Sequence, residues 1–405
     1  MTEPLVTDSN SRSSVHFPYI EHIRGIAATA VLAEHTLVLT GRSEGALFGI
    51  IAGLGDWGVN LFFILSAFLL SSECFHLASR RELARFYTRR FFRIAPGYYF
   101  MLLIIYLFTV PHTLLFSQQG LKQVGANLTF TQYLFPGTAS NLNANGSLWT
   151  LTIEMSLYLV LPLLSFYFTR YPRILFITYM AIGVGYRAYV AISGQGLDHF
   201  YFKAASVPID IQKLFVMRQF IGLLPLFTLG IGARWFLSNT KYYRQVTTFF
   251  SRQSLISCLL ILAPSVALCH FVARASGYQH WIWFSLFDVT MGVLMLPSIL
   301  IAASAEKVSR SFLSSGLRWL GDISYGTYLW HFPIILAIFP IGNRVPTGPH
   351  YWFSVAIVVV LTLTIGTISF YFIETPTRRF GQKLAKKISA PLNAKHFIRL
   401  AGDGS

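Results

Sequence analysis

Charge is scarce in this sequence. Only 12% of its 405 residues are Asp, Glu, Lys or Arg, about half the share carried by a soluble globular chain. Acids are the rarer sign, 16 against 32 basic residues. Cysteine is rarer still, with Cys74, Cys258 and Cys269 making up the set of three. Cys258 and Cys269 fall on one expected helix, about 16 Å apart by helical rise, too far for a disulfide. No CxxC or zinc-type spacing occurs, so neither a metal site nor a redox site is expected. Apolar residues fill the space that charge leaves. They make up 54% of the chain, aromatics 16%, and the mean hydropathy is +0.54. Apolar stretches near the length that spans a bilayer recur from end to end. The fold class is therefore an all-α polytopic membrane protein.

The net charge of +16 does not point to nucleic acid, because the basic residues cluster in short segments between apolar ones. Ten spans are expected, near 20–40, 53–72, 92–110, 148–168, 173–192, 214–236, 254–272, 282–303, 323–341 and 352–373. Basic residues alternate between the connections. Arg80, Arg81, Arg85, Arg89 and Arg90 follow the second span; Arg170 and Arg173 the fourth; Lys241, Arg244 and Arg252 the sixth; Lys307, Arg310 and Arg318 the eighth. Arg42, Lys122, Lys203, Arg274 and Arg344 stand nearly alone in the connections between. Under the positive-inside rule this pattern puts both termini in the cytoplasm. Residues 1–17 read as a cytoplasmic tail without the apolar core of a secretory signal, and 382–405 as a basic cytoplasmic tail. The connection 111–147 holds the polar run "FPGTASNLNANGS" and reads either as a substrate-facing lid or as a solvated connector.

The segment "HIRGIAATAVLAEH" puts polar residues on an otherwise apolar span. Arg24 and His35 are eleven residues apart, just over three turns, so they share a helix face with a rise of about 16 Å between them. Arg24 alone would pass for a snorkelling arginine. His35 alone would pass for a helix-end residue meeting water.

Five further segments change that reading. "GVNLFFILSAFLL" (58–70) lies in the second span, and "RRFFRIAPGYY" (89–99) opens the third. "SLWTLTIEMSLYLVLPLL" (147–164) forms the fourth and holds Glu154. "LGDISYGTYLWHFPI" (320–334) opens the ninth, and "YFIETPTRRF" (371–380) closes the tenth. In this order, over about residues 18–381, they resemble the acyltransferase-3 family of integral membrane acyltransferases. These modify O-antigens, exopolysaccharides, Nod factors and macrolides. The family's Arg/Lys, ten residues, His pattern matches as Arg24 and His35, and its Arg-x-x-Arg pattern as Arg90 and Arg93. Where the family usually reads Ser-Gly in the second span, this chain has Ser66-Ala67, a difference that bears on helix packing rather than chemistry. The fused SGNH-type esterase domain of some members is not found in these residues.

The resemblance implies transfer of an acyl group, most often acetyl, from cytoplasmic acyl-CoA to a hydroxyl. The acceptor would be a sugar or glycoconjugate at the outer face of a bacterial inner membrane. The residues make chemical sense of this. CoA phosphates need cations, and the planar guanidinium fork suits them, which assigns Arg24, Arg90 and Arg93 to the donor. A hydroxyl attacks well only as its proton leaves, and histidine titrates near neutrality, which makes His35 the general base. Glu154 is an expensive intramembrane carboxylate, expected to orient His35 or bind the acceptor. His331 shares a face with Tyr328 and Ser324 and reads either as contact with the donor's arm or as a buried packing histidine. Glu34 points about 100° away from His35, so no Glu34–His35 dyad is expected. Asp288 and Arg187 are candidate partners for each other. Glu374 is expected to pair with Arg378 at i,i+4. A secondary transporter is the competing reading, but it has no need of these spacings and no inverted repeat is evident.

Overall fold

The computed structural model describes residues 17, 19–40, 51–77, 79–139, 146–193, 209–238, 255–274, 280–305, 312–340 and 348–389. The expectations for most of the amino-terminal tail, for 390–405, for Arg42, Lys203, Lys241, Arg244, Arg252, Lys307, Arg310 and Arg344, and for the side chain of Arg274 lie outside the described residues. The regular structure among the described residues is all helical, without strands. In chain order the helices are α1 (Ile20–Leu39), α2 (Leu54–Cys74), α3 (Arg80–Phe108), α4 (His112–Leu115), α5 (Gln118–Leu128), α6 (Pro136–Ala139), α7 (Trp149–Arg170) and α8 (Pro172–Ser193). They continue as α9 (Ile209–Met217), α10 (Phe220–Ser238), α11 (Leu255–Arg274), α12 (Trp281–Ser304), α13 (Phe312–Asp322), α14 (Ser324–Ile338), α15 (Gly348–Ser369) and α16 (Thr375–Ser389).

Among the described residues, eight helical segments are long and apolar enough to cross a membrane. The ten expected spans include two more, and the difference falls on α1 and α14. Arg24, Glu34 and His35 lower the apolarity of α1. Helix α14 has only 15 residues, a length of about 22 Å. Both pack inside the bundle, where protein rather than lipid surrounds their polar groups.

Helix α2 is the hub, packed against α1, α7, α10, α11 and α12. Its contact with α10 is close because Gly230 has no side chain. A Cβ there would stand 2.8 Å from the Ala67 Cβ. The small residue that allows this approach thus lies on α10, opposite the alanine of the Ser66-Ala67 pair. Lone glycines at such contacts let backbones approach across a membrane bundle.

Helix α3 begins earlier than expected. Ser79 accepts from the Glu82 amide, and the Glu82 side chain returns to the Ser79 amide. This capping box starts the helix at Arg80, so Arg80, Arg81, Arg85, Arg89 and Arg90 stand on a helix rather than in a loop. At 29 residues, α3 is about 44 Å long, more than the roughly 30 Å of a hydrocarbon core. Helix α15 runs into α16 through a π-helical turn, Phe370–Glu374.

Of the connection 111–147, residues 140–145 of its polar run lie outside the described residues, and 111–139 are described. The latter fold into α4, α5 and α6. Helix α5 is tied to α3 where Tyr98 donates to the Asn127 carbonyl at 3.0 Å and Asn127 donates to the Tyr106 hydroxyl at 2.6 Å. Arg187 and Asp288 do find each other, as a fully buried ion pair between α8 and α12. Asn60 of α2 donates to the same carboxylate at 3.0 Å. Arg187 also donates to the Phe284 carbonyl, so the buried cation is satisfied on several sides.

Candidate active site

Helices α1 and α14 run in the same direction and are joined at two levels. At one level the Arg24 guanidinium donates to Ser324 at 3.1 Å and to Glu21 at 2.7 Å. At the other, His35 Nδ1 and His331 Nε2 are 2.8 Å apart. The shared face of Arg24 and His35 is thus the face turned to α14. His331 is 1% exposed, and its other nitrogen donates to the Tyr328 carbonyl at 2.7 Å.

A cavity of about 470 Å³ opens among α1, α2, α3, α7 and α14, and Arg24, Arg90, Arg93, Glu154, Tyr158 and Tyr328 all line it. Three cations from two helices therefore converge on one space. Tyr328 closes it on the side of the histidines: its hydroxyl donates to the Ser147 carbonyl at 2.9 Å and meets Thr150 at 2.7 Å. His331 follows one turn further along α14.

Glu154 lies with the arginines. Its carboxylate accepts from Ser66 at 3.1 Å and from Tyr158 at 2.5 Å. Of the two roles expected for Glu154, orienting His35 or binding the acceptor, the first has no bond to support it: the partner of His35 is His331. That histidine is packed against the His35 ring and does not line the cavity. The two residues that hold Glu154 were not foreseen, although Tyr158 stands four residues on, a spacing that puts both on one face.

Glu34 has a separate task. Its oxygens accept from the Gly53 amide at 2.9 Å and from the Gly55 amide. Those amides begin α2, where backbone donors lack helical partners, so a carboxylate is favoured there. The structure thus bears out the absence of a Glu34–His35 dyad. Near the same helix end, Asp56 pairs with Arg218 at 2.6 Å. The Arg218 guanidinium lies 4.6 Å from the centre of the Trp149 ring. This cluster was not foreseen; its members are distant in sequence.

Glu374 does not pair with Arg378. It accepts from Ser369 at 3.0 Å, because the π-turn swings its carboxylate inward. It borders a second, smaller cavity of about 50 Å³ with Arg24, Arg93 and Arg378. No group of acids, histidines or cysteines among the described residues is arranged to hold a metal ion.

An all-helical membrane bundle with a cation-lined internal cavity and a hydrogen-bonded histidine pair, one ring buried and the other half-buried, defines the class. The chain belongs to the acyltransferase family whose model, described as "Acyltransferase domain", matches residues 17–370. It is similar to the peptidoglycan O-acetyltransferase OatA of Listeria monocytogenes, 26% identical over 91% of this chain and 57% of that protein. The putative peptidoglycan O-acetyltransferase YrhL of Bacillus subtilis is 25% identical over 90% of this chain and 56% of that protein. The O-acetyltransferase OatA of Staphylococcus aureus is 25% identical over 91% and 58%. The chain thus spans a little over half the length of these relatives. No solved structure matches it.

Proposed function

We propose that this chain is an O-acyltransferase that moves an acyl group, acetyl first among candidates, from cytoplasmic acyl-CoA to a carbohydrate hydroxyl. The observation that carries this reading is the convergence of Arg24, Arg90 and Arg93 on one cavity, whose lining residue Tyr328 packs against His331 of the His35–His331 pair with ring centres 5.4 Å apart. The arginines hold the CoA phosphates through charge-assisted hydrogen bonds. The pantetheine arm runs up the cavity and brings the thioester toward His35.

His35 takes the proton of the acceptor hydroxyl as the oxygen bonds to the thioester carbonyl carbon. The tetrahedral adduct collapses, the carbon–sulfur bond breaks, and the proton on His35 passes to the departing sulfur. Atoms and charge balance without a metal or an acyl-enzyme. Glu154 sits beside the donor arginines, so its role is to fix the cavity wall through Ser66 and Tyr158 and to balance their charge. The printed names of the relatives make peptidoglycan the first acceptor to test. The arginines face the cytoplasm, both termini lie on that side, and a bacterial inner membrane is the location.

Calorimetry with acetyl-CoA on the detergent-purified protein tests the donor assignment. Wild type and His35→Ala bind with similar affinity. Arg90→Ala/Arg93→Ala, folded by its thermal profile, binds about 10- to 100-fold more weakly, as loss of charged hydrogen bonds implies. Absence of binding of any short acyl-CoA by wild type removes the donor and brings back the transporter.

A further inference from the structure

We infer that His331 is a positioning residue that decides which nitrogen of His35 carries the proton, a step that rests on reading His35 as the base. A carbonyl oxygen only accepts. The 2.7 Å contact between His331 Nδ1 and the Tyr328 carbonyl therefore puts the His331 proton on Nδ1. A neutral imidazole has one N–H and one lone pair, so His331 Nε2 accepts. Its partner at 2.8 Å is His35 Nδ1, which must then be the donor. The lone pair of His35 is left on Nε2, free for a substrate proton.

The geometry is that of a true hydrogen bond rather than ring stacking. The two rings lie 10° from coplanar with centroids 5.1 Å apart, the separation reached when the N–H points along the plane of both. Phe332 stands edge-on to His35 at 6.0 Å and holds the ring against rotation. On its Nε2 side His35 faces Gly55, which has no side chain; a Cβ there would stand 3.8 Å from Nε2 and 2.8 Å from a Glu34 carboxylate oxygen. The opposite tautomer of His35 would set two lone pairs against each other at 2.8 Å, leaving both unsatisfied. When His35 has taken a proton on Nε2, its Nδ1–H still reaches His331. The pair therefore accommodates the base before the step and the acid after it.

Ring-¹⁵N-labelled histidine in the full chain, in nanodiscs, reads the tautomer directly, with His35→Gln assigning the signal. The expected result is a His35 signal with Nδ1 protonated and Nε2 bare. A His35 signal with the proton on Nε2 overturns the inference whatever the activity.

Two variants add an independent reading. Gln at this place can donate to the Tyr328 carbonyl and accept from His35; Leu can do neither. For acetyl transfer to peptidoglycan fragments, kcat falls by about 100-fold or more in His331→Leu. His331→Gln recovers part of it, and both keep the acetyl-CoA affinity of wild type. Equal loss in both variants, or weakened acetyl-CoA binding in either, shows packing or donor contact instead and overturns the inference. Retained transfer in His35→Ala is the distinct result that removes the underlying reading of His35.

Discussion

At the scale of single residues, the site depends on one glycine as much as on its histidines. Gly55 donates its amide to Glu34 and faces the Nε2 side of His35. A methyl group there would come within 2.8 Å of the Glu34 carboxylate. Gly55→Ala should therefore push Glu34 off the start of α2 and disturb the adjoining His35. We expect a loss of about 1–3 kcal/mol in stability, the usual cost of overpacking, and a larger fractional loss of transfer activity. Thermal denaturation and an acetyl-transfer assay on one preparation separate the two. An unchanged activity would show that the α2 end does not shape the base's surroundings. The residue scale also marks the limit of the sequence reading. Arg24 and His35 were legible because helical spacing places them on one face. The partnership of His35 with His331 was not, since 296 residues separate them and only packing brings α14 against α1. Glu154 was found as an intramembrane charge, yet its company of Ser66 and Arg90 depends on how α2, α3 and α7 meet.

At the scale of helices, eight spans were legible from apolar length alone. Helices α1 and α14 are membrane-like only by context. The helices that carry the histidine pair are the ones that hydropathy describes worst, because polar groups there are bonded to protein and need no lipid-facing apolar surface. The capping box at Ser79 and Glu82, which the sequence reading did not take into account, is what moves the arginines onto α3. The Arg187–Asp288 pair shows how α8 and α12 are held together inside the bundle. Removing one member leaves a buried charge alone, which costs about 3–5 kcal/mol. Arg187→Leu should therefore lower the thermal midpoint strongly. Arg187→Leu/Asp288→Leu should recover a good part of the loss, since no uncompensated charge remains. A double-mutant cycle in one detergent measures this. Additive losses would mean that each residue acts through its other partners, Phe284 and Asn60, and not through the pair.

For the whole molecule, the proposed function needs donor and acceptor to reach one histidine pair from opposite sides of the membrane, so orientation tests it. On the proposed orientation, charge alternation puts the amino-terminal end of α3, with Arg90 and Arg93 of the cavity lining, on the cytoplasmic side. The helix is about 44 Å long, so the start of α5 would then lie beyond the outer face. Arg81 and Gln118 are both exposed and stand near these two ends. The native cysteines are all buried and give little background for thiol labelling. Arg81→Cys and Gln118→Cys, made singly, therefore report the two sides. In intact spheroplasts a membrane-impermeant maleimide should label Gln118→Cys and leave Arg81→Cys unlabelled until the membrane is opened. The reverse pattern would place the arginines outside, away from the cell's acyl-CoA. The cavity would then have to take an anion of another kind, and His35 would have to draw its acceptor from the cytoplasm.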